Sequence, residues 1–162
     1  MQCWDRRASG TKPVMSVRGV HCCGDALDVC GSRMLVGSCR TTEQLQLYDV
    51  RNGALLAVAP WTPAGPGDRR AAGRCRVYAA QFCPRSGMIA AAGAQGFDGA
   101  GEVRILHSDT LASLSSTMLP HAVHSVDLSA HANGIGCRAA VAGGNSAVRV
   151  LEVPGLTNAS LV

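Results

Sequence analysis

The sequence predicts an all-β fold built from repeated antiparallel sheets, and three observations carry that prediction. Short apolar runs are split throughout by Gly, Pro, Asn, Asp and Ser, the pattern of strands joined by turns. Turn formers interrupt every run before three helical turns are complete, so an amphipathic helix has no room to form. One layout also recurs: QCWDRRASG at 2–10, LQLYDVRNG at 45–53, VRILHSDT at 103–110 and VRVLEVPG at 148–155 each run into a polar turn.

Aligned on Trp4, Tyr48, Leu106 and Leu151, these segments lie 44, 58 and 45 residues apart. The long spacing holds an insertion, 61–74, rich in Gly, Pro and Arg; without the 13 residues of 62–74 it falls to 45. Each period has the same internal order. Unit 20–60 reads ALDVCG, MLVGSCR, LQLYDV and ALLAVAP; unit 75–120 reads VYAAQFCP, MIAAAGAQ, EVRILHSD and ASLSSTMLP. Unit 121–162 reads VHSVDLSA, RAAVAGGN and AVRVLEV, with LTNASLV as a fourth strand, while the partial unit 1–19 supplies a third-type strand at 2–5 and a fourth at 13–19. Four strands in roughly 40–45 residues is the spacing of a β-propeller blade. The expected architecture is therefore one segment, 1–162, of four-stranded antiparallel blades.

The residues at matching positions resemble the WD-repeat family. Trp4-Asp5 and Tyr48-Asp49 are similar to the dipeptide that ends the third strand of that repeat. His21 and His121 stand a few residues before a first strand, where the family places its Gly-His, and Ser38 matches the Ser of the second strand. The resemblance implies a buried hydrogen-bonded network of His, Ser, aromatic residue and turn Asp within a blade, a device that works only when every member is satisfied. It also implies a protein-interaction scaffold without catalytic activity, working within a multiprotein complex. The third unit departs from the pattern with Leu106-His107, and the fourth with Leu151-Glu152.

Strand counting gives about three and a half blades, whereas closed propellers carry about 4–8. An incomplete ring exposes sheet faces and strand edges that invite pairing. Three arrangements fit: a fragment of a larger propeller, two copies of the chain closing a ring, or a second chain that completes it. The expected partners are accordingly other proteins, among them a second propeller half.

Composition narrows the function. The 162 residues are 47% hydrophobic but only 4% aromatic, so the core is expected to be rich in small residues. The net charge of +4 is scattered over Arg pairs, with Lys12 the only lysine, and no basic stripe with interleaved aromatics argues for nucleic acid. No apolar run approaches the ~20 residues of a membrane span, and the polar N-terminus reads as no leader, so an intracellular and cytoplasmic setting is expected for the eight cysteines. The cluster His21-Cys22-Cys23-Gly24-Asp25 lacks the ligand spacing of a zinc site, and the Gly-rich stretches precede no helix that would cradle phosphate. No metal, cofactor or catalytic residue is expected. Binding is expected on the rims, where propeller loops project from a rigid scaffold. The candidates there are Arg40, Trp61, Arg74, Arg76 and Tyr78, residue types that dominate interface energetics. An Arg-bearing rim also suits an acidic or modified peptide or a nucleic acid as a second reading.

Overall fold

A computed structural model describes residues 1–7, 10–40, 42–59, 61, 76–83, 85–95, 99–131 and 136–154. Among these residues there are thirteen strands and no helix. Strands β1 (Gln2–Cys3) and β2 (Met15–Ser16) form a small N-terminal pair. Sheet I holds β3 (Leu27–Cys30), β4 (Arg33–Gly37), β5 (Leu45–Asp49) and β6 (Leu55–Ala59). Sheet II holds β7 (Arg76–Cys83), β8 (Met88–Gln95), β9 (Ala100–His107) and β10 (Ser113–Leu119), and sheet III holds β11 (Val123–Ala130), β12 (Cys137–Gly143) and β13 (Val148–Val153). Every strand pairs antiparallel with its sequence neighbour, so each sheet is a meander. The all-β class and the four-stranded antiparallel units at 20–60 and 75–120 are thus as the sequence pattern predicts, while unit 121–162 shows three strands among the described residues. The tail expected as a last strand, and residues 62–74 of the insertion, lie outside the described residues.

The recurrent polar turns share one hydrogen-bond scheme. After β5, the Gly53 N–H donates to the Asp49 carbonyl at 2.8 Å and the Arg51 N–H to Asp49 Oδ1 at 2.8 Å. Gly53 sits at φ 72°, where glycine carries no Cβ penalty. After β9, the Leu111 N–H donates to the His107 carbonyl at 3.0 Å, and the Asp109 N–H to His107 Nδ1 at 3.2 Å. His107 therefore does with a ring nitrogen what Asp49 does with a carboxylate. Leu111 accepts φ 56° in the place of Gly53, with its side chain buried in the core. At Asp5 the scheme starts again, with the Arg7 N–H on Oδ1 at 2.9 Å. The Arg51 guanidinium and N–H beside Asp49 hold its carboxyl down at about 2.

The core lies between stacked sheets. One apolar cluster joins sheets I and II through Leu35, Leu47, Phe82, Ile89 and Leu106; another joins II and III through Ala90, Ile105, Val126 and Val141. Sheet II is thus covered on both faces, which accounts for its run of buried alanines, Ala79, Ala80, Ala90, Ala91 and Ala92. Small side chains let two sheets approach the same strand from opposite sides, and that is where the aromatic-poor composition goes. A third cluster packs Met1, Cys3 and Met15 of the N-terminal pair on Met34, Val36 and Tyr48 of sheet I.

The first strands of the three sheets are neighbours: β7 packs against β3 on one side and β11 on the other. Asp25 and Ala79 form a parallel bridge, and the Ala80 N–H donates to the Asp25 carbonyl at 3.1 Å. Each second strand carries a glycine at or near its end, Gly37, Gly93 and Gly143, packed against a first strand or the residues that lead into it. A Cβ on Gly93 would stand 2.9 Å from the Arg76 carbonyl carbon, and one on Gly143 3.0 Å from the Ala122 carbonyl carbon. In both sheets the partner first strand carries a register shift at that point, between Val77 and Ala79 and between Val123 and Ser125.

Candidate binding surface along the first strands

The starts of the first strands and the ends of the second strands lie at one end of the stack. This end collects Arg40, Arg76 and Tyr78 of the expected rim. Arg76 is exposed and donates from Nη1 to the Tyr78 hydroxyl at 3.4 Å. The Tyr78 ring tilts against the His124 ring with centroids 4.9 Å apart. Arg40 pairs with Glu43 at 3.3 Å and keeps about a third of its side-chain surface open. His124 is not among the expected rim residues, although it holds the same place in VHSVDL as Tyr78 in VYAAQF.

One of the rim expectations changes. Trp61 is fully buried, packed with Leu45, Leu47, Phe82, Ile89 and Leu106. Its main-chain N–H donates to Gln44 Oε1 at 2.8 Å, and the Arg104 guanidinium lies over its ring at 4.4 Å. A large apolar ring that directly follows β6 is drawn into the space between sheets I and II, so it anchors the stack and presents no surface to a partner. Arg74 lies outside the described residues.

The network that the family resemblance implies is rearranged as well. The His21 imidazole is exposed, and it is the His21 main-chain N–H that donates to Ser38 Oγ at 3.0 Å, while the Cys39 N–H returns to the His21 carbonyl at 2.9 Å. The Tyr48 hydroxyl donates to Gln46 Oε1 at 3.0 Å instead of reaching Ser38. Trp4 is 53% exposed and His121 is exposed. The Ser38 hydroxyl oxygen, accepting the His21 main-chain N–H, fixes the approach to β3, so a side-chain relay through histidine is not what holds this turn. Asp5 and Asp49 serve their own turns, as described above.

A groove of about 410 Å³ lies along the first strands, with Asp25, Asp28, Gln81, Ser125 and Asp127 on its walls. Its polar groups do specific work. Asp28 Oδ2 accepts the Phe82 N–H at 2.8 Å, tying β3 to β7, and Gln81 Oε1 accepts the Leu128 N–H at 3.0 Å, tying β7 to β11. Gln81 Nε2 also reaches Asp127 Oδ1 at 3.4 Å. Sequence reading passed over these three residues, yet the signal is visible: one polar side chain at the same place in ALDV, AAQF and SVDL.

The chemistry offered here is recognition by charge, ring and hydrogen bond. Burial pushes the Cys39 thiol up, which keeps it protonated and weakens it as a nucleophile or ligand. Among the described residues no group of three or more His, Cys, Asp or Glu side chains converges as a metal site. No family model matches the chain, and a search of curated proteins finds no relative.

Proposed function

We propose that the chain is an arc of a β-propeller of the WD-repeat kind, serving as a non-catalytic scaffold that binds other proteins through the rim at Arg40, Arg76 and Tyr78. The observation that carries the reading is the parallel seam of first strands, β3, β7 and β11, with exposed Arg76 and the Tyr78–His124 ring pair at its mouth. Sheets stacked around their first strands are how propeller blades surround a channel, and function then sits on the loops at the channel entrance. A reducing, cytoplasmic setting belongs to the same reading and is supported by the seven described cysteines, all free thiols. Among the described residues no helix is long and apolar enough to cross a membrane.

Affinity capture with the purified chain, followed by identification of what binds, tests the proposal against the double variant Arg40→Ala/Arg76→Ala. The reading expects the variant to lose partners that the wild type retains at physiological salt. Identical partner sets, with the variant shown to be folded by circular dichroism, would refute the rim. The same two arginines support the second reading, an acidic or modified peptide or a nucleic acid as ligand. Titration with a poly-glutamate peptide and a single-stranded oligonucleotide at low salt separates the two, because a protein partner of mixed charge loses less affinity as salt rises.

A further inference from the structure

The polar arms on the first strands form a ladder, and the ladder has an open rung. In each first strand the arm directly precedes the main-chain N–H that receives the arm of the sheet before it: Gln81 precedes Phe82, and Asp127 precedes Leu128. Asp28 reaches Phe82, and Gln81 reaches Leu128. At the start of the series, the Val29 N–H is taken by Oδ1 of its own neighbour Asp28 at 2.7 Å. At the other end stands Asp127, exposed, its Oδ1 reached from the preceding sheet by Gln81 Nε2 at 3.4 Å and its carboxylate meeting no main-chain N–H of a following sheet among the described residues.

The strand registers extend the equivalence across each sheet. Asp28 lies opposite Leu35, which lies opposite Leu47; Gln81 lies opposite Ala90, then Ile105; Asp127 lies opposite Ala140, then Val150. Directly opposed residues share one face of a sheet. In sheets I and II the face that carries the arm is the face the next sheet covers: Leu35, Leu47 and Ala90 are 0% exposed and Ile105 is 6% exposed. In sheet III the same face is bare, with Val150 63% exposed and Val148 beside it 72% exposed.

We propose that this face of sheet III, at Asp127, Ala140, Val148 and Val150, is a docking surface for the first strand of a further sheet of the same repeat. The occupant is defined by chemistry: an extended strand that lies beside β11, gives a main-chain N–H to the Asp127 carboxylate and covers the two valines with apolar side chains. Asp28 with β7 is the working example of that contact within this chain. The proposal rests on the reading of the three sheets as successive blades.

The test uses the full chain labelled with ¹⁵N and a capped synthetic peptide with the sequence of β7, Arg76–Cys83, carrying Cys83→Ser. Amide shifts are expected at β11 and at Val148 and Val150. A peptide N-methylated at Phe82 lacks the donor and is expected to bind about tenfold more weakly, the factor that loss of one hydrogen bond to a charged group implies. Asp127→Ala is expected to cost the same factor, with no further loss when it meets the methylated peptide, and Asp127→Asn is expected to fall between. Absence of shifts, shifts on other sheets, or equal affinity for the methylated peptide would overturn the assignment. Shifts at β11 that grow with protein concentration alone would give the face to a second copy and overturn the choice of occupant. If the peptide fails while Arg40→Ala/Arg76→Ala still loses partners, only this docking assignment falls; if the peptide binds and the rim variant loses nothing, only the rim reading falls.

Discussion

Asp28→Ala is the sharpest probe of how the sheets are held together. The carboxylate takes two main-chain donors, the Phe82 N–H at 2.8 Å across the seam and the Val29 N–H at 2.7 Å on its own strand. The two losses differ in cost. Val29 is 55% exposed, so water replaces the carboxylate there and the change contributes little. Phe82 is buried at 5% exposure between sheets I and II, so its amide is left without a partner, at a cost of about 1–3 kcal/mol. Asp28→Asn keeps a carbonyl acceptor and gives up only the charge assistance, so it is expected to cost roughly half as much. Urea unfolding measures both values, and amide hydrogen exchange at Phe82 locates the effect, with faster exchange in the alanine variant and intermediate exchange in the asparagine variant. An alanine variant within about 0.5 kcal/mol of wild type, the range of ordinary surface substitutions, with an unchanged Phe82 amide, would refute the reasoning that the arm ties β3 to β7.

Two further expectations follow from the packing. Gly93→Ala drives a Cβ into the Arg76 carbonyl group, and because backbone cannot rotate away as a side chain does, the loss of stability in urea is expected to reach about 2–4 kcal/mol; a loss under about 1 kcal/mol would mean that the seam is looser than described. Burial, with a hydrogen bond to Cys83, pushes the Cys137 thiol from its ordinary 9.0 up to about 12. The unfolded chain then ionises first, so this group's contribution is intact below pH 9 and lost as pH rises from 9 towards 12. Urea midpoints between pH 8 and 10.5 should fall less steeply in Cys137→Ala than in wild type, and equal slopes would count against the shift.

Much of the fold was legible because period and punctuation are local properties. Alternation inside LQLYDV and VRILHS, and the Gly, Asn and Asp that close each run, report directly on strands and turns. What escaped was decided by tertiary neighbours. Leu106-His107 looks like a departure from Tyr48-Asp49, yet the His107 ring nitrogen accepts the same turn amide, an equivalence of acceptor geometry that residue type does not announce. Trp61 stands next to a loop-like insertion and reads as a rim residue, while its surroundings come from strands β5, β7, β8 and β9. The candidate site divides the same way. Arg40, Arg76 and Tyr78 were legible as exposed or ring-bearing residues beside strand ends, and the partner ring of His124 became apparent only once β7 and β11 lay side by side.

The arms Asp28, Gln81 and Asp127 show why a polar residue within a strand is easily misread. Alternation assigns such a residue to the solvent side, which is correct for a sheet that buries one face. Sheet II buries both, so a polar side chain there must find a partner within the stack, and the nearest free donor is the outward N–H of the adjoining first strand. That arrangement gives the stack a direction, because every sheet sends an acceptor forward and offers a donor backward. The two ends of the series therefore differ in kind. The end at β3 carries a donor, Val29 N–H, closed on Asp28, beside the exposed Leu27 and Val29 side chains; the end at β11 carries a charged acceptor over two exposed valines. Two β11 ends meeting face to face would set Asp127 towards Asp127, and two β3 ends would set donor towards donor, so the polar ladder favours addition from head to tail, in the sense that already joins β3 to β7 and β7 to β11.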